Sequence, residues 1–141
     1  MSDGKWLEKK VQDLLVKWSK DPLFSWERLY DAHSAQGKFP PQTSDFHVNL
    51  WDGDRARSVY IECKEAEHPD TIYLKDFPQF PRMKRKMMAG AQGLLVVYHS
   101  KLKKFRAVSL FRYPLNTTVF KLKDEPFMEL SELRRAIQIW I

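Results

Sequence analysis

Apolar and polar residues alternate along two neighbouring stretches near the middle of the chain. Every second residue from Phe46 to Leu50 is apolar, and so is every second residue from Val59 to Cys63. Strict alternation predicts two β-strands, each with one face on a hydrophobic core. Because successive side chains of a strand point to opposite faces, the polar residues of each stretch share the other face.

A turn signal separates the two predicted strands. The dipeptide Asp52-Gly53 favours a tight hairpin, so the strands should run antiparallel beside each other. If their apolar faces share one core, Asp45, Glu62 and Lys64 share the opposite face. Two carboxylates and an ammonium group would then lie close together, and carboxylate oxygens are ligands that Mg²⁺ and Mn²⁺ prefer.

The remaining pattern predicts helices and strands on both sides of this hairpin. Apolar residues at helical spacing, Trp6, Leu7, Val11, Leu14 and Leu15, predict a helix from Gly4 to about Trp18. Further helices are predicted at 78–90 and 131–141, and strands at 24–30, 94–99 and 105–110, the second of which is apolar enough for burial on both faces. Residues 31–42 and 65–77 are predicted to be a loop and a polar connection. The expected fold class is α/β, a mixed central β-sheet flanked by helices.

Composition adds a limit on size and a class of partner. The 141 residues, 43% of them hydrophobic, suffice for one domain with a real core, so residues 1–141 are expected to form a single domain. The formal net charge of +6 favours a polyanionic partner, although a merely soluble basic protein has the same composition.

The sequence also indicates where the protein works. One cysteine cannot form an intramolecular disulfide, and no signal-like or membrane-length apolar run appears. The expectation is a cytoplasmic protein without a membrane partner, in the host cytoplasm if a phage encodes it.

Basic residues concentrate in two stretches that could bind phosphates. A solvated charged surface is the alternative interpretation. The candidates are Arg82, Lys84, Arg85 and Lys86 in the predicted middle helix, and Lys101, Lys103, Lys104 and Arg106 around the last predicted strand pair.

The spacing of the acids resembles a known signature. Ser44-Asp45 followed by Glu62-Cys63-Lys64 resembles the motif of PD-(D/E)xK nucleases, with Ser44 where many relatives carry proline. Over roughly residues 4–110 the chain also resembles the Holliday junction resolvases of this superfamily, both the archaeal type and RecU. The resemblance implies a restriction-endonuclease-like fold and metal-dependent cleavage of DNA.

The resemblance also implies roles for individual residues. Asp45, Glu62, Lys64 and Glu8 would be catalytic, and Asp45, Glu62, Glu8 and the main-chain carbonyl of Cys63 would hold Mg²⁺, or else Mn²⁺. A surface ion pair among Asp45, Glu62 and Lys64 is the alternative for the acids. A glutamate in the first turn of a helix is also favoured by the helix dipole alone, which leaves Glu8 with two interpretations.

The expected partner is branched DNA with four arms. Ser34 and Lys38, in the loop before the motif, and Gln79 are candidate DNA contacts beside the basic residues. Junction resolution needs paired incisions, so the resemblance implies a homodimer with two equivalent sites. Two other functions fit the same residues: a restriction-type or repair nuclease acting on linear or damaged duplex, and a catalytically silent DNA-binding protein.

Overall fold

A five-stranded mixed sheet with helices against both faces lies at the centre of the protein. The computed structural model describes residues 5–29, 44–68 and 70–140. The helices are α1 (Lys5–Trp18), α2 (Phe80–Met88) and α3 (Leu133–Trp140). The strands are β1 (Phe24–Arg28), β2 (Phe46–Trp51), β3 (Ala56–Ala66), β4 (Thr71–Tyr73), β5 (Gln92–His99), β6 (Lys104–Ser109) and β7 (Val119–Lys121).

The strand order of the central sheet is β1-β2-β3-β5-β6, and β4 pairs with β7 in a separate two-stranded sheet. Strands β1, β2 and β3 pair antiparallel, as do β5 and β6, whereas β3 and β5 pair parallel. A parallel pair needs a crossover connection, and α2 lies in this one. The predicted fold class, a mixed sheet flanked by helices, is confirmed.

The first hydrophobic core lies between the sheet and the terminal helices α1 and α3. Leu7, Val11 and Leu15 are buried in it, at the four-residue spacing that places them on one side of α1. They meet the alternating apolar residues of β2 and β3 predicted from the sequence. Trp6 departs from the predicted stripe, since it is 43% exposed and its ring contacts Tyr98 at 4.8 Å.

A second core lies under α2, on the other face of β5 and β6. Phe80 and Met83 of α2 are buried there against Leu95 and Val97, so β5 is buried on both faces as predicted. Gly93 permits this close packing, because a Cβ atom at that position would stand 2.4 Å from the sulfur of Met87.

The predicted hairpin is also present. Residues 52–55 connect the paired ends of β2 and β3, and Gly53 has a φ of 96°, a backbone conformation that favours glycine. The Asp52 carboxylate accepts hydrogen bonds from the backbone N–H groups of Asp54 and Arg55, which closes the turn.

The predicted polar connection at 65–77 contains structure that the sequence interpretation missed. There β3 continues to Ala66, and β4 and a 3-10 turn at Leu74–Asp76 follow. Strand β4 depends on distant β7 for its hydrogen bonds, so local polarity carried no signal for it. The predicted loop at 31–42 falls outside the described residues. None of the helices in the described part of the chain is both long and apolar enough to cross a membrane.

Candidate active site

Strand register brings the predicted acids together at one end of the sheet. Phe46 pairs with Ile61, and one step further along the two strands Asp45 stands opposite Glu62. Lys64 follows two residues later on the same face of β3. The three residues that the sequence places on one face therefore meet where β2 begins.

Direct contacts hold this group in place. The Asp45 carboxylate accepts a hydrogen bond of 2.9 Å from the backbone N–H of Cys63, and Lys64 Nζ lies 3.2 Å from Glu62 Oε2. Glu62 is only 1% exposed, because its neighbours on β5 belong to the second core. A surface ion pair therefore does not describe the trio.

A further charged pair, Glu8 with Arg28, approaches this trio from the side of the sheet that α1 covers. Glu8, in the first turns of α1, forms a short hydrogen bond with Arg28 at the end of β1. The Arg28 guanidinium also lies over the Phe46 ring, 5.3 Å from its centre. We call Glu8, Arg28, Asp45, Glu62 and Lys64 the carboxylate cluster. The sequence interpretation missed Arg28, whose only local signal was its place at the end of a predicted strand.

Burial and the charge of Asp45 raise the pKa of both glutamates in this cluster. Burial, and then the charge of Asp45, raises the pKa of Glu62 to about 8, against the opposing effect of Lys64. Burial and Asp45, in the same order, raise the pKa of Glu8 against the effect of Arg28. Side-chain hydrogen bonding links Asp45 to each of the two glutamates. The cluster therefore contains three carboxyl groups but only two cationic side chains, those of Arg28 and Lys64.

This surplus of oxygen ligands bears on the predicted metal. No group of three or more His, Cys, Asp or Glu side chains within the described ranges already stands in a metal-binding geometry. Glu8 and Glu62 are instead engaged by Arg28 and Lys64. Glu62 Oε1, however, is buried and has no hydrogen-bond partner among the described residues. An unpaired carboxylate oxygen in an all-oxygen donor set fits a hard divalent cation, so the residues suit Mg²⁺ or Mn²⁺.

Cys63 contributes its backbone and not its side chain. Burial and the neighbouring acids raise the pKa of its thiol far above the usual value, which keeps the group neutral. Its N–H points towards Asp45, and the carbonyl of a strand residue points to the same side as its N–H. That orientation agrees with the predicted role of the Cys63 carbonyl as a ligand.

Several predicted DNA contacts lie towards this end of the sheet. Lys101, Lys103 and Lys104 are exposed around the turn between β5 and β6, beyond the ends of the parallel strands β3 and β5. Helix α2 starts after β4 and leads back to the beginning of β5, so its first residues, with Gln79 before them, belong to the same end. The side-chain oxygen of Gln79 is buried and has no hydrogen-bond partner among the described residues.

The basic residues differ in how strongly the protein engages them. Arg82, Arg85 and Lys86 are exposed on α2, whereas Lys84 donates to the carbonyl oxygens of Leu110 and Phe111 at 3.3 and 3.0 Å. Arg106 is only 3% exposed and cannot belong to a phosphate-binding surface, which corrects the prediction. The candidate contacts Ser34 and Lys38 lie outside the described residues.

A polar sheet surface continues from the carboxylate cluster towards the hairpin. We call it the open face: the exposed or half-buried side of β1, β2 and β3 formed by Ser25, Glu27, His47, Asn49, Ser58 and Tyr60. His47 stacks on Tyr60 with ring centres 4.4 Å apart and bridges Glu27 and Ser58 through its two ring nitrogens.

Comparison with known proteins finds similar folds only. No protein-family model and no curated protein matches the chain. The fold is similar to Hjc, a Holliday junction resolvase from the archaeal hyperthermophile Archaeoglobus fulgidus, at 20% identity and a TM-score of 0.49, over 87% of this chain and 98% of that one. It is also similar to D212, a nuclease from a fusselovirus, at 14% identity and a TM-score of 0.43, over 95% of this chain and 89% of that one. Hjc is the kind of protein that the sequence motifs resemble. At these identities and TM-scores, neither likeness says what this protein binds or cuts.

Proposed function

We propose that this protein is a divalent-metal-dependent endonuclease that cleaves phosphodiester bonds in DNA. The observation that carries the proposal is the carboxylate cluster. Three acids and Lys64 meet at one end of the sheet, and a buried oxygen of Glu62 has no hydrogen-bond partner among the described residues. A purely structural ion pair would satisfy its buried oxygens, because an unpaired one costs free energy.

Each residue of the cluster has a chemical task in this reaction. Asp45 and Glu62, joined by Glu8 and the Cys63 carbonyl, would hold the cation. A bound divalent cation supplies charge that polarises the scissile phosphate and acidifies a water molecule. Lys64, 3.2 Å from Glu62, stands where it would orient the attacking water or stabilise the charge of the transition state. Arg28 positions the Glu8 side chain.

The charge distribution supports DNA as the substrate. Lys101, Lys103 and Lys104 lie at the turn after β5, beyond the end of the sheet that carries the acids, and Arg82, Arg85 and Lys86 lie along α2. Cations around a cluster of acids would bind the flanking phosphates while the acids hold the metal. Ser34, Lys38 and Gln79 stay predicted contacts within this scheme.

A four-way junction cut by a homodimer is the specific form of the proposal, and it rests on the sequence resemblance. Resolution requires incisions in two strands of like polarity. One short chain carries one carboxylate cluster, so a second copy related by two-fold symmetry would supply the second incision.

The direct test compares a synthetic four-way junction with linear duplexes built from the same arms, in Mg²⁺ and in chelator. We expect Mg²⁺-dependent cleavage of the junction at symmetric positions and far slower cleavage of the linear duplexes. Equal cleavage of both substrates would favour the restriction- or repair-type nuclease. Binding of the junction without cleavage in Mg²⁺ or in Mn²⁺ would favour the silent DNA-binding protein.

The dimer has its own test. Wild-type subunits mixed with an excess of Glu62→Gln subunits should form heterodimers that mostly nick one strand of a cruciform plasmid, whereas wild-type homodimers linearise it. The matched control is an equal excess of Glu27→Gln subunits, which removes an exposed acid from the same face. An unchanged ratio of linear to nicked product with Glu62→Gln would contradict the paired-incision proposal.

A further inference from the structure

A cavity of about 410 Å³ opens on the open face at its hairpin end, away from the carboxylate cluster. Ser25, Asn49 and Ser58 line it side by side, because strand register pairs Ser25 with Asn49 and Asn49 with Ser58. Trp51, 48% exposed, and the exposed Leu23 form its apolar side. No role in the reaction proposed above uses any of these residues.

The cavity and the carboxylate cluster lie on one continuous surface. Ser58 precedes Glu62 by four residues on the same face of β3, which separates them by about 13 Å. Helix α2 spans the same interval, because Gly90 after its end lines the cavity while its start belongs to the cluster end. A DNA strand whose scissile phosphate lies at Glu62 would therefore pass the cavity within about four nucleotides.

The lining favours a nucleobase over a phosphate. It offers two hydroxyl groups, a carboxamide and an exposed indole. Of the described residues that line the cavity, only Arg57 carries a charge, and its side chain lies on the opposite face of β3 from Ser58, where its Nε pairs with the Asp52 carboxylate. Amide and hydroxyl groups can read a base edge, and an aromatic ring can stack on its face, whereas a phosphate site would need available cations.

We propose that this cavity binds one unstacked nucleobase of the DNA strand that runs to the carboxylate cluster. Trp51 stacks on the base, and Asn49 with the two serines hydrogen-bonds its edge. The inference rests on the proposed function only in requiring that DNA is the ligand. An unstacked base is cheapest to provide at a branch point or a mismatch, so the cavity would favour branched over perfect duplex DNA.

Abasic scanning of a four-way junction tests this directly. A series of junctions, each lacking one base near the cleavage position, is bound to wild-type protein and to Trp51→Ala in chelator. On the intact junction the substitution should weaken binding by about 5- to 150-fold, the usual range for one stacked base. On the junction that lacks the pocketed base, the same substitution should leave affinity unchanged, because the stacking partner is already gone.

The matched control is Trp6→Ala, which removes a tryptophan of similar exposure from α1, on the other side of the sheet. It should shift the affinities of all junctions alike. If Trp51→Ala disturbs folding, Asn49→Leu repeats the cycle, because it keeps a branched side chain with the same number of heavy atoms and removes the hydrogen bonds. The inference would be overturned if the loss of affinity caused by Trp51→Ala, and likewise by Asn49→Leu, were the same at every abasic position. It would also be overturned if neither variant lowered affinity for any junction.

This outcome is independent of cleavage. Binding is measured without metal, so a protein that binds junctions but never cuts them would refute the nuclease proposal and leave the nucleobase test valid. If the protein cuts junctions but the effect of Trp51→Ala on affinity does not depend on the abasic position, the proposed function stands and the nucleobase role of the cavity is refuted.

Discussion

Two buried polar clusters lie at the same end of the sheet, and they handle charge in opposite ways. The carboxylate cluster holds three acids against two cations. The second, which we call the arginine cluster, centres on Arg106 with His99, Asp70, Glu125 and Phe127. One cluster is short of cations, whereas the other surrounds its cation with acceptors.

The contacts of Arg106 show what a structural solution looks like. Its Nε donates to the Glu125 carbonyl at 2.9 Å, another nitrogen faces His99 Nε2 at 3.0 Å, and the guanidinium lies 4.1 Å from the centre of the Phe127 ring. A cation with three kinds of partner ties β6 to the segments around it. Burial of charge therefore does not by itself mark a functional site in this fold; burial with uncompensated like charge is what makes the carboxylate cluster the candidate site.

The largest expected effect is on catalysis. Replacing Glu62 with Gln or Asp45 with Asn should lower Mg²⁺-dependent cleavage by about 1,000-fold or more, because a carboxamide cannot supply the charge that holds the cation. Junction affinity in chelator should stay near that of wild type, since the phosphate-binding cations are untouched. Rates from single-turnover cleavage and affinities from fluorescence anisotropy would measure both, with Glu27→Gln as the matched control. A carboxamide variant with wild-type turnover would refute the site assignment.

The arginine cluster should show the reverse behaviour. Arg106→Met should lower the free energy of unfolding by about 3 kcal/mol, because the buried acceptors around it lose their donor. Cleavage per folded molecule should change little. Urea unfolding measures the first quantity and single-turnover cleavage of folded protein the second, with Arg135→Met on the exposed side of α3 as the control. If Arg106→Met were as stable as wild type but cleaved more slowly, the arginine cluster would belong to the active site.

Much of this contrast was not visible in the sequence, for physical reasons. Alternation in β2 and β3 sufficed to place Asp45, Glu62 and Lys64 on one face, because a period of two depends only on neighbouring residues. The burial of Glu62 arises from the second core on β5, and the pairing of Glu8 with Arg28 joins α1 to β1. Both depend on tertiary contacts that local pattern does not encode.

Basic residues show the same limit more sharply. Arg106 and Lys104 are two residues apart on β6, yet one is buried and the other exposed. Lys84 and Lys86 are likewise two apart on α2, and the first turns towards carbonyl oxygens while the second faces outward. Charge composition predicts basic residues at the surface, but exposure depends on what packs over each side chain: Lys104 and Arg106 share one face of β6 and both contact the Phe127 ring, yet only Arg106 is buried.

The two clusters should also respond to pH in opposite directions. Burial, and then the charge of Arg106, lowers the pKa of His99 from 6.5 to about 4. The unfolded chain then takes up this proton near pH 6.5 and the folded protein only near pH 4, so the stability that His99 contributes is complete above pH 6.5 and is lost as the pH falls towards 4. His99→Asn should remove about 1–2 kcal/mol of that acid dependence, measured by urea unfolding from pH 4 to 8. If the free energy of unfolding of His99→Asn falls with acid as steeply as that of wild type, protonation of His99 does not destabilise the arginine cluster.

Glu62 should produce the opposite slope. Its folded pKa of about 8 lies above the ordinary value of 4.5, so stability is complete below pH 4.5 and is lost as the pH rises through 8. In chelator, Glu62→Gln should therefore be more stable than wild type by about 1–2 kcal/mol at pH 8 and nearly equal at pH 4.5. An inactive variant that gains stability would show that this cluster costs the fold free energy. A loss of stability at pH 8 would instead assign Glu62 a structural role.

The smallest effect tests the same contrast between engaged and available charge on α2. Neutralising Arg85 and Lys86 together should reduce the slope of log affinity against log salt concentration by up to about 1.8. Each phosphate contact contributes about 0.9 to that slope. Lys84→Met should leave the slope unchanged, since its ammonium donates to the Leu110 and Phe111 carbonyls and burial lowers its pKa. Affinities from 50 to 200 mM salt, the range over which such slopes are resolved, would distinguish the two. If Lys84→Met flattens the slope as much as the double variant does, its contacts give way when DNA binds, and engagement in the free protein does not predict which cations meet phosphate.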